Sequence, residues 1–312
     1  TSTERPSNIK STGGNVDVTG KEQVNVYASN LSAAGDLNLK GGSVTVMSGL
    51  NQTSAGTGSQ TRTQSIAPNQ VPHSLASGLN TRSNVTNRVD QTSLASATLE
   101  GRNVNITANT GDLNLIAPTI NAGQGVTLSA PEGNLNFGVV NTTTEVSQSR
   151  GQRSLAYQRT ADTGAHVEAA NYTQINSPNL SVDAKQINVQ VGQNATPVSG
   201  PNGQTSMYLP QQSLQQALQQ VIASGQPGTE WVKQLSNDRS LDGKINWEGV
   251  PVEQRQWAEH QGSLTQTGAA VVTIVASVLS WGYGADLIGA AGNTATGAAA
   301  NAGLSALASH TA

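Results

Sequence analysis

Cysteine is absent from the 312-residue chain, so no disulfide can hold its fold together, and no closed loop would obstruct export through a narrow pore. Aromatic residues make up only 3%, which argues against a globular core filled by large side chains. Charged residues make up 11%, less than half the usual quarter or so, and the net charge is −3. Lysine and arginine form no cluster, so nucleic acid is not an expected partner.

What the chain does contain is a three-residue pattern, apolar–polar–apolar, that recurs ten times with loop residues between its copies. The middle residue is Asn in six copies and Asp, Ser or Thr in the others. Alternation this short predicts strands with two side chains facing inward and one outward, and a series of such strands predicts a repeat architecture rather than disorder. The copies lie at residues 16–18, 24–26, 37–39, 44–46, 104–106, 113–115, 126–128, 135–137, 180–182 and 187–189.

The spacing of the copies predicts a right-handed parallel β-helix. Residues 24–46 and 113–137 share one order of inward aliphatic positions, and each unit of about 20 residues contains three short strands. Glycines between the strands, such as Gly35 and Gly133, are expected at corners that need a positive φ. Outward asparagines are expected to stack into side-chain ladders. The predicted core positions are Val24, Leu31, Leu37, Val44, Leu113, Ile120, Val126, Leu135, Ile175, Leu180 and Ile187.

Changes in composition divide the chain into segments. Gaps in the pattern at about 47–98 and 138–168 predict two inserts, each of which is either a projecting hairpin or a disordered loop; the alternation in the second favours the hairpin there. Beyond the last copy, an amphipathic stretch and three tryptophans predict a helical cap over the open end of the rod, with Pro251 opening a short helix. The expected divisions are a β-helix over 1–192, a linker over 193–210, a helical cap over 211–262 and an apolar Gly/Ala-rich segment over 263–312.

Residues 264–285 carry no charge and form a stretch long enough to consider for a bilayer. A buried or amphipathic helix is the simpler interpretation, because Thr273 and Ser277 interrupt the apolar run and no basic residue flanks it. Contact with or insertion into a membrane at some stage of action is one alternative, and an interface with further sequence of the parent protein is another. The candidate membrane-interacting residues are Val271, Val272, Ile274, Val275, Val278, Leu279 and Trp281.

The sequence predicts no catalytic or metal-binding constellation. His73, His166, His260 and His310 are scattered, and none belongs to a metal-ligand spacing. The outward positions of the three-residue pattern hold Asn and Thr, whereas a β-helical polysaccharide lyase needs a groove of acidic and basic side chains. The chain is therefore expected to be non-enzymatic, with no cofactor and no metal.

Several motifs carry a resemblance to a known family. Gly-Asp-Leu-Asn-Leu occurs at 35–39 and again at 111–115, and Gly-Arg-Asn-Val-Asn-Ile occurs at 101–106. These motifs resemble the haemagglutinin repeats of filamentous haemagglutinins and of the related CdiA-type effectors of contact-dependent growth inhibition. The order of motifs from Gln-Pro-Gly-Thr-Glu-Trp at 226–231 onward resembles the segment that joins these repeats to the pretoxin region. Residues 300–308 resemble the opening of the haemagglutinin-associated domain found there.

The resemblance implies a large secreted exoprotein on the bacterial cell surface, exported by an outer-membrane two-partner-secretion transporter. It also implies a C-terminal toxin domain in the full-length chain, delivered to the outer membrane or a surface receptor of a neighbouring cell, whose envelope this region would enter. The first residues are polar and lack Met, so the chain is expected to be an interior piece of such a protein. The alternative is an adhesin module that binds glycans or receptors, since Asn, Gln, Thr and Ser hydrogen-bond sugar hydroxyls.

Overall fold

The computed structural model describes residues 1–64, 80–153, 158–194 and 213–261. It confirms the mainly β class, with 68% strand and two α-helices in this part of the chain. The strands form a curled parallel sheet of twelve strands and a separate antiparallel sheet of five. The parallel sheet comprises β1 (Asn8–Ser11), β2 (Val16–Thr19), β3 (Gln23–Tyr27), β4 (Asn30–Ala33), β5 (Leu37–Gly41), β6 (Ser43–Met47), β9 (Thr98–Ala108), β10 (Leu113–Ile116), β11 (Thr119–Gly138), β14 (Gln174–Asn176), β15 (Leu180–Asn194) and β16 (Ile245–Val252).

Strand pairing within the parallel sheet follows three ladders, to which five successive stretches of chain each contribute. We call these stretches levels 1 to 5; they cover residues 8–27, 30–47, 98–116, 119–138 and 174–194. The first ladder aligns Ile9, Leu31, Leu99, Ile120 and Ile175. The second aligns Val16, Leu37, Val104, Val126 and Leu180. The third aligns Val24, Val44, Leu113, Leu135 and Ile187, and then Ile245 of β16.

The inward positions of the three ladders form one aliphatic core. Ten of the eleven core positions named from the sequence are buried, and the eleventh, Leu180, is partly buried and packs against the same cluster. Alternation explains this result, because a period of two places every second side chain of a strand on one face. Apolar residues in register across neighbouring strands then share a common interior.

The glycines between strands do not adopt the conformation expected of them. Among the described residues, positive φ occurs at three glycines near the C-terminal helices and at two alanines, Ala28 and Ala117, and at none of the glycines between the ladder strands. The prediction of positive φ at positions such as Gly133 was therefore wrong. Close approach of backbones explains the glycine there instead, because a methyl group on Gly133 would overlap the carbonyl of Gly111 one level below.

Two long hairpins interrupt the ladders and build the antiparallel sheet. β7 (Gly49–Gln64) pairs with β8 (Asn80–Ala95), and β12 (Val140–Arg153) pairs with β13 (Gln158–Asn171). The sheet order is β17-β13-β12-β8-β7, with β17 (Gln254–Gln261) at one edge. Each hairpin begins after a strand of the third ladder and ends before a strand of the first ladder. The two hairpins therefore project from the same corner of the parallel sheet.

The position of the hairpins explains why they form one continuous sheet. They follow levels 2 and 4, and two levels of a parallel ladder rise about 9.6 Å, which is the width of two neighbouring strands. Each hairpin therefore fills the height of two levels, and β8 meets β12 without a gap. Ser48 lies at the base of the first hairpin, and its hydroxyl is buried. The hydroxyl donates to the Ala117 carbonyl (2.7 Å) and accepts from the Ala97 amide (2.9 Å), so it links backbone groups at this corner.

Two helices cover one end of the core. α1 (Leu214–Ser224) begins at a capping box in which Ser213 and Gln216 exchange side-chain and backbone hydrogen bonds, and α2 (Glu230–Asn237) precedes a 3₁₀ turn (Arg239–Leu241). Trp231 of α2 stacks on Phe137 with ring centroids 4.2 Å apart, and its indole nitrogen donates to the Thr173 carbonyl at 2.9 Å. The helices thus pack on the aliphatic core, which they shield at this end.

The segment after the helices differs from the sequence expectation. Residues 245–261 were predicted within a helical cap, with Pro251 opening a helix, but they form β16 and β17. The reason is an eleventh copy of the three-residue pattern, Ile245-Asn246-Trp247, which pairs in parallel with β15 and extends the third ladder beyond residue 192. The packing surface offered by β15 overrides a weak helix-start signal. Residues 193 and 194 of the predicted linker belong to β15. The rest of that linker, residues 195–210, lies outside the described residues, as do residues 211–212 and 262–312.

Candidate functional site

The outward side of the third ladder carries a chain of side-chain hydrogen bonds. The amide of Asn114 donates to Thr45 at 3.1 Å, and Asn136 donates to Asn114 at 2.8 Å. Asn188 donates to Asn136 at 2.7 Å, and Asn246 donates to Asn188 at 3.3 Å. A side-chain amide has both a donor and an acceptor, so an Asn in the middle of the chain donates to the neighbour on one side and accepts from the neighbour on the other. This confirms the prediction that outward asparagines stack into ladders.

The second ladder has a shorter chain of the same kind. Asn38 donates to Asp17 at 2.6 Å, and Asn105 donates to Asn38 at 2.8 Å. At the adjoining corner, the Arg102 guanidinium lies 3.1 Å from the Asp36 carboxylate. Hydrogen bonds from Arg102 and Asn103 lower the pKa of Asp36. These groups are engaged with one another.

A second concentration of polar chemistry lies on the antiparallel sheet. Cross-strand register aligns Ser54 with Asp90, Asp90 with Glu145, and Glu145 with His166, so these side chains share one face. Two residues further along β13, Glu168 lies on the same face. We call this surface the charged face, and it is unusual in a chain with so few ionisable residues.

One half of the charged face is held by ion pairing. The Asp90 carboxylate accepts hydrogen bonds from the Ser54 hydroxyl and from the Arg88 guanidinium, and both bonds lower the pKa of Asp90. The surface beside it forms an open depression of about 350 Å³. The depression is lined by Gln52, Arg88, Asp90, Gln91, Thr92, Thr143, Glu145 and His166.

The other half of the charged face surrounds His166. Its Nδ1 lies 3.3 Å from Glu145 Oε2, and its Nε2 lies 3.8 Å from Glu168 Oε1. Glu168 Oε2 accepts from the backbone amide of Glu253 at 2.8 Å and from the side-chain amide of Asn141 at 3.4 Å. Ligand atoms of His166, Glu168 and Glu253 all lie within 4.8 Å of one another. Of the described residues, these three form the group able to hold a metal ion.

This grouping differs from the expectation that His166 belongs to no site. The sequence carried one usable signal, the spacing of His166 and Glu168, because residues two apart on a strand share a face. Glu253 could not be found in the same way, because it reaches the group only through the pairing of β13 with β17. Glu145 likewise depends on the pairing of β12 with β13.

The residues proposed from the sequence to contact a membrane, which run from Val271 to Trp281, lie outside the described residues. Within the four described stretches, no helix has the length and apolar character needed to cross a bilayer. Comparison of the chain with family models, with curated proteins and with solved structures finds no match.

Proposed function

We propose that the parallel ladders are those of a right-handed β-helix. Three ladders recur in each level in a fixed order, and the aliphatic core runs through all levels. Right-handed crossovers are strongly preferred when one strand is connected to a parallel neighbour. With a rise of about 4.8 Å per level, five levels make a rod about 24 Å long.

We infer that this rod is a non-enzymatic segment of a large secreted surface exoprotein and serves as stalk and delivery machinery for a C-terminal toxin. The observation that carries the proposal is the in-register chain of asparagines along the third ladder, from Asn114 to Asn246. Such a chain stiffens a stack without using charge, which suits an extended element that holds a functional tip away from its own cell. The assignment to a secreted toxin-delivery exoprotein comes from the motifs that resemble those of filamentous haemagglutinins and CdiA-type effectors.

The partners in this proposal are an outer-membrane two-partner-secretion transporter and the outer membrane or a surface receptor of the target cell. Each level pairs mainly with its neighbours, so the rod can fold level by level as it leaves a pore. The chain has no cysteine to cross-link during passage. Each folded level opposes backward movement of the chain, which gives export a direction.

Vesicle sedimentation tests the delivery step. The full 312-residue chain is incubated with phosphatidylethanolamine–phosphatidylglycerol vesicles beside a variant that lacks residues 264–285. A second variant, Val275→Asp with Leu279→Asp, keeps the length and removes the apolar continuity. We expect the full chain to sediment with vesicles and both variants to remain in solution. Equal sedimentation of all three proteins would remove the membrane step from the proposal.

An adhesin module is the second candidate, and the depression on the charged face favours it. Carboxylates, amides and hydroxyls line that depression, and these groups hydrogen-bond sugar hydroxyls. A glycan array probed with the full chain, and with a variant lacking the hairpin 49–95, distinguishes the two candidates. Binding that disappears with the hairpin would support the adhesin; absence of binding to any glycan would leave delivery as the better-supported function.

A further inference from the structure

We propose that His166, Glu168 and Glu253 form a binding site for one divalent transition-metal ion. The three residues come from β13 and from the junction between β16 and β17, and 85 residues of chain separate Glu168 from Glu253. One imidazole and two carboxylates are ligands for zinc and for the neighbouring divalent metals. The proposal does not depend on the stalk proposal, and it shares His166 with the depression from which the adhesin candidate is argued.

The hydrogen bond of His166 to Glu145 determines which ring nitrogen faces the site. A carboxylate oxygen only accepts hydrogen bonds, so the hydrogen between Glu145 Oε2 and His166 Nδ1 belongs to the ring. In the neutral imidazole, Nε2 then presents its lone pair toward Glu168. This carboxylate–histidine arrangement is the one that orients metal-binding histidines in proteins.

With the imidazole in its neutral form, three acceptors therefore converge at the site. Nε2 of His166 lies 3.8 Å from Glu168 Oε1, too far for a hydrogen bond, and one ligand atom from each of the three residues lies within 4.8 Å of the other two. Two ligands on one tetrahedral zinc, with bonds of 2.0–2.1 Å, are about 3.4 Å apart, so a contraction of about 0.4 Å would place both on the ion. A cation between the acceptors turns mutual repulsion into attraction.

Further carboxylates lie near the site, while the strand register places Arg255 opposite His166. Glu145 adds a further carboxylate beside His166, and Asp90 follows on the next strand. The side-chain oxygen of Asn141 is buried and lacks a hydrogen-bond partner, although the amide nitrogen of the same side chain contacts Glu168. A water molecule held by the ion would be able to donate to this oxygen.

A bound ion would fasten β17 to β13. The backbone amide of Glu168 already donates to the backbone carbonyl of Glu253, and the backbone amide of Glu253 donates to the Glu168 carboxylate. The ion would add metal–carboxylate bonds at the same pair. The junction at residue 253 is where the chain passes from the third ladder to the antiparallel sheet. Metal binding would therefore stabilise this junction by an amount that grows with the logarithm of the free metal concentration once that concentration exceeds the Kd.

Calorimetric titration of the full chain with ZnCl₂, after removal of any purification tag, tests the site. We expect one saturable site, weakened about tenfold or more in His166→Ala and in Glu168→Gln. Glu132→Gln is the matched control, since Glu132 pairs with Lys185 at 3.2 Å and does not belong to the group. Co²⁺ absorption bands that are present in the parent chain and lost in His166→Ala would show directly that the imidazole binds the metal.

A positioning role for Glu145 gives a separate readout. Glu145→Gln retains the ligands but removes the carboxylate that orients the ring, and we expect weaker zinc binding by about tenfold with an unchanged stoichiometry of one. Circular dichroism confirms that each variant folds. Absence of saturable zinc binding by the parent chain would overturn the proposal, as would unchanged affinity in a folded His166→Ala variant.

Discussion

The asparagine chain of the third ladder makes a quantitative prediction at Asn136. This side chain donates to Asn114 at 2.8 Å and accepts from Asn188 at 2.7 Å, so Asn136→Ala removes two hydrogen bonds. A net hydrogen bond contributes about 0.5–1.5 kcal/mol. Asn114, Asn136 and Asn188 are half-buried, so water can partly replace the bonds that Asn114 and Asn188 lose. We therefore expect a loss of about 1–2 kcal/mol in the free energy of unfolding.

The end of the same chain provides the control. Asn246→Ala removes a single, longer bond of 3.3 Å from an exposed side chain, and we expect a loss of at most about 0.5 kcal/mol. Urea unfolding followed by far-ultraviolet circular dichroism compares the two variants with the parent. The fluorescence of Trp231, which stacks on the neighbouring Phe137, reports on the same region. Equal losses for the two variants would refute the idea that the ladder bonds stabilise the stack.

Two further predictions concern the antiparallel sheet and a corner of the second ladder. The added methyl group of Gly164→Ala would overlap the indole ring of Trp257. We expect this variant to lose about 1–3 kcal/mol in the free energy of unfolding, measured with urea. Gly151→Ala is the control, because its methyl group meets no atom and the free energy of unfolding should not change. Arg102→Gln should raise the pKa of Asp36, measured by NMR titration, toward its usual value. Because the folded-state pKa of Asp36 is lowered, its stabilising contribution is present above about pH 4 and is lost as the pH falls further; an unchanged pKa in Arg102→Gln would contradict this.

The ladder positions could be predicted from the sequence because burial and alternation act locally. Alignment of residues 24–46 with 113–137 matched Val24 with Leu113 and Leu31 with Ile120. The structure places the first pair in the third ladder and the second pair in the first ladder. A strand with a period of two has a single face that can enter an aliphatic core, so the pattern itself fixes which residues share a ladder.

The features that sequence reasoning missed all depend on pairing between distant segments. The sequences of β8 and β12 do not indicate that the two strands pair. The pairing arises because each hairpin is as wide as two levels of the parallel sheet are high. The eleventh copy of the pattern at 245–247 was visible, but its isolation behind two helices hid its place in the third ladder. His166 and Glu253 come together only once β13 and β17 pair. Long-range pairing of this kind has no signature within a short window of sequence.

After the first hairpin the chain re-enters the parallel sheet, and β9 pairs in register with β5. Asn38 and Asn105 are paired across 67 residues, and parallel neighbours about 4.8 Å apart lie within disulfide range. Since the chain has no cysteine, Asn38→Cys with Asn105→Cys creates a single reporter pair. Asn38→Cys with Thr107→Cys is the control, because that diagonal separation is about 8 Å, beyond disulfide reach. Mass spectrometry after mild oxidation should show a disulfide in the first variant and free thiols in the second; equal cross-linking in both, or in neither, would contradict the parallel ladders.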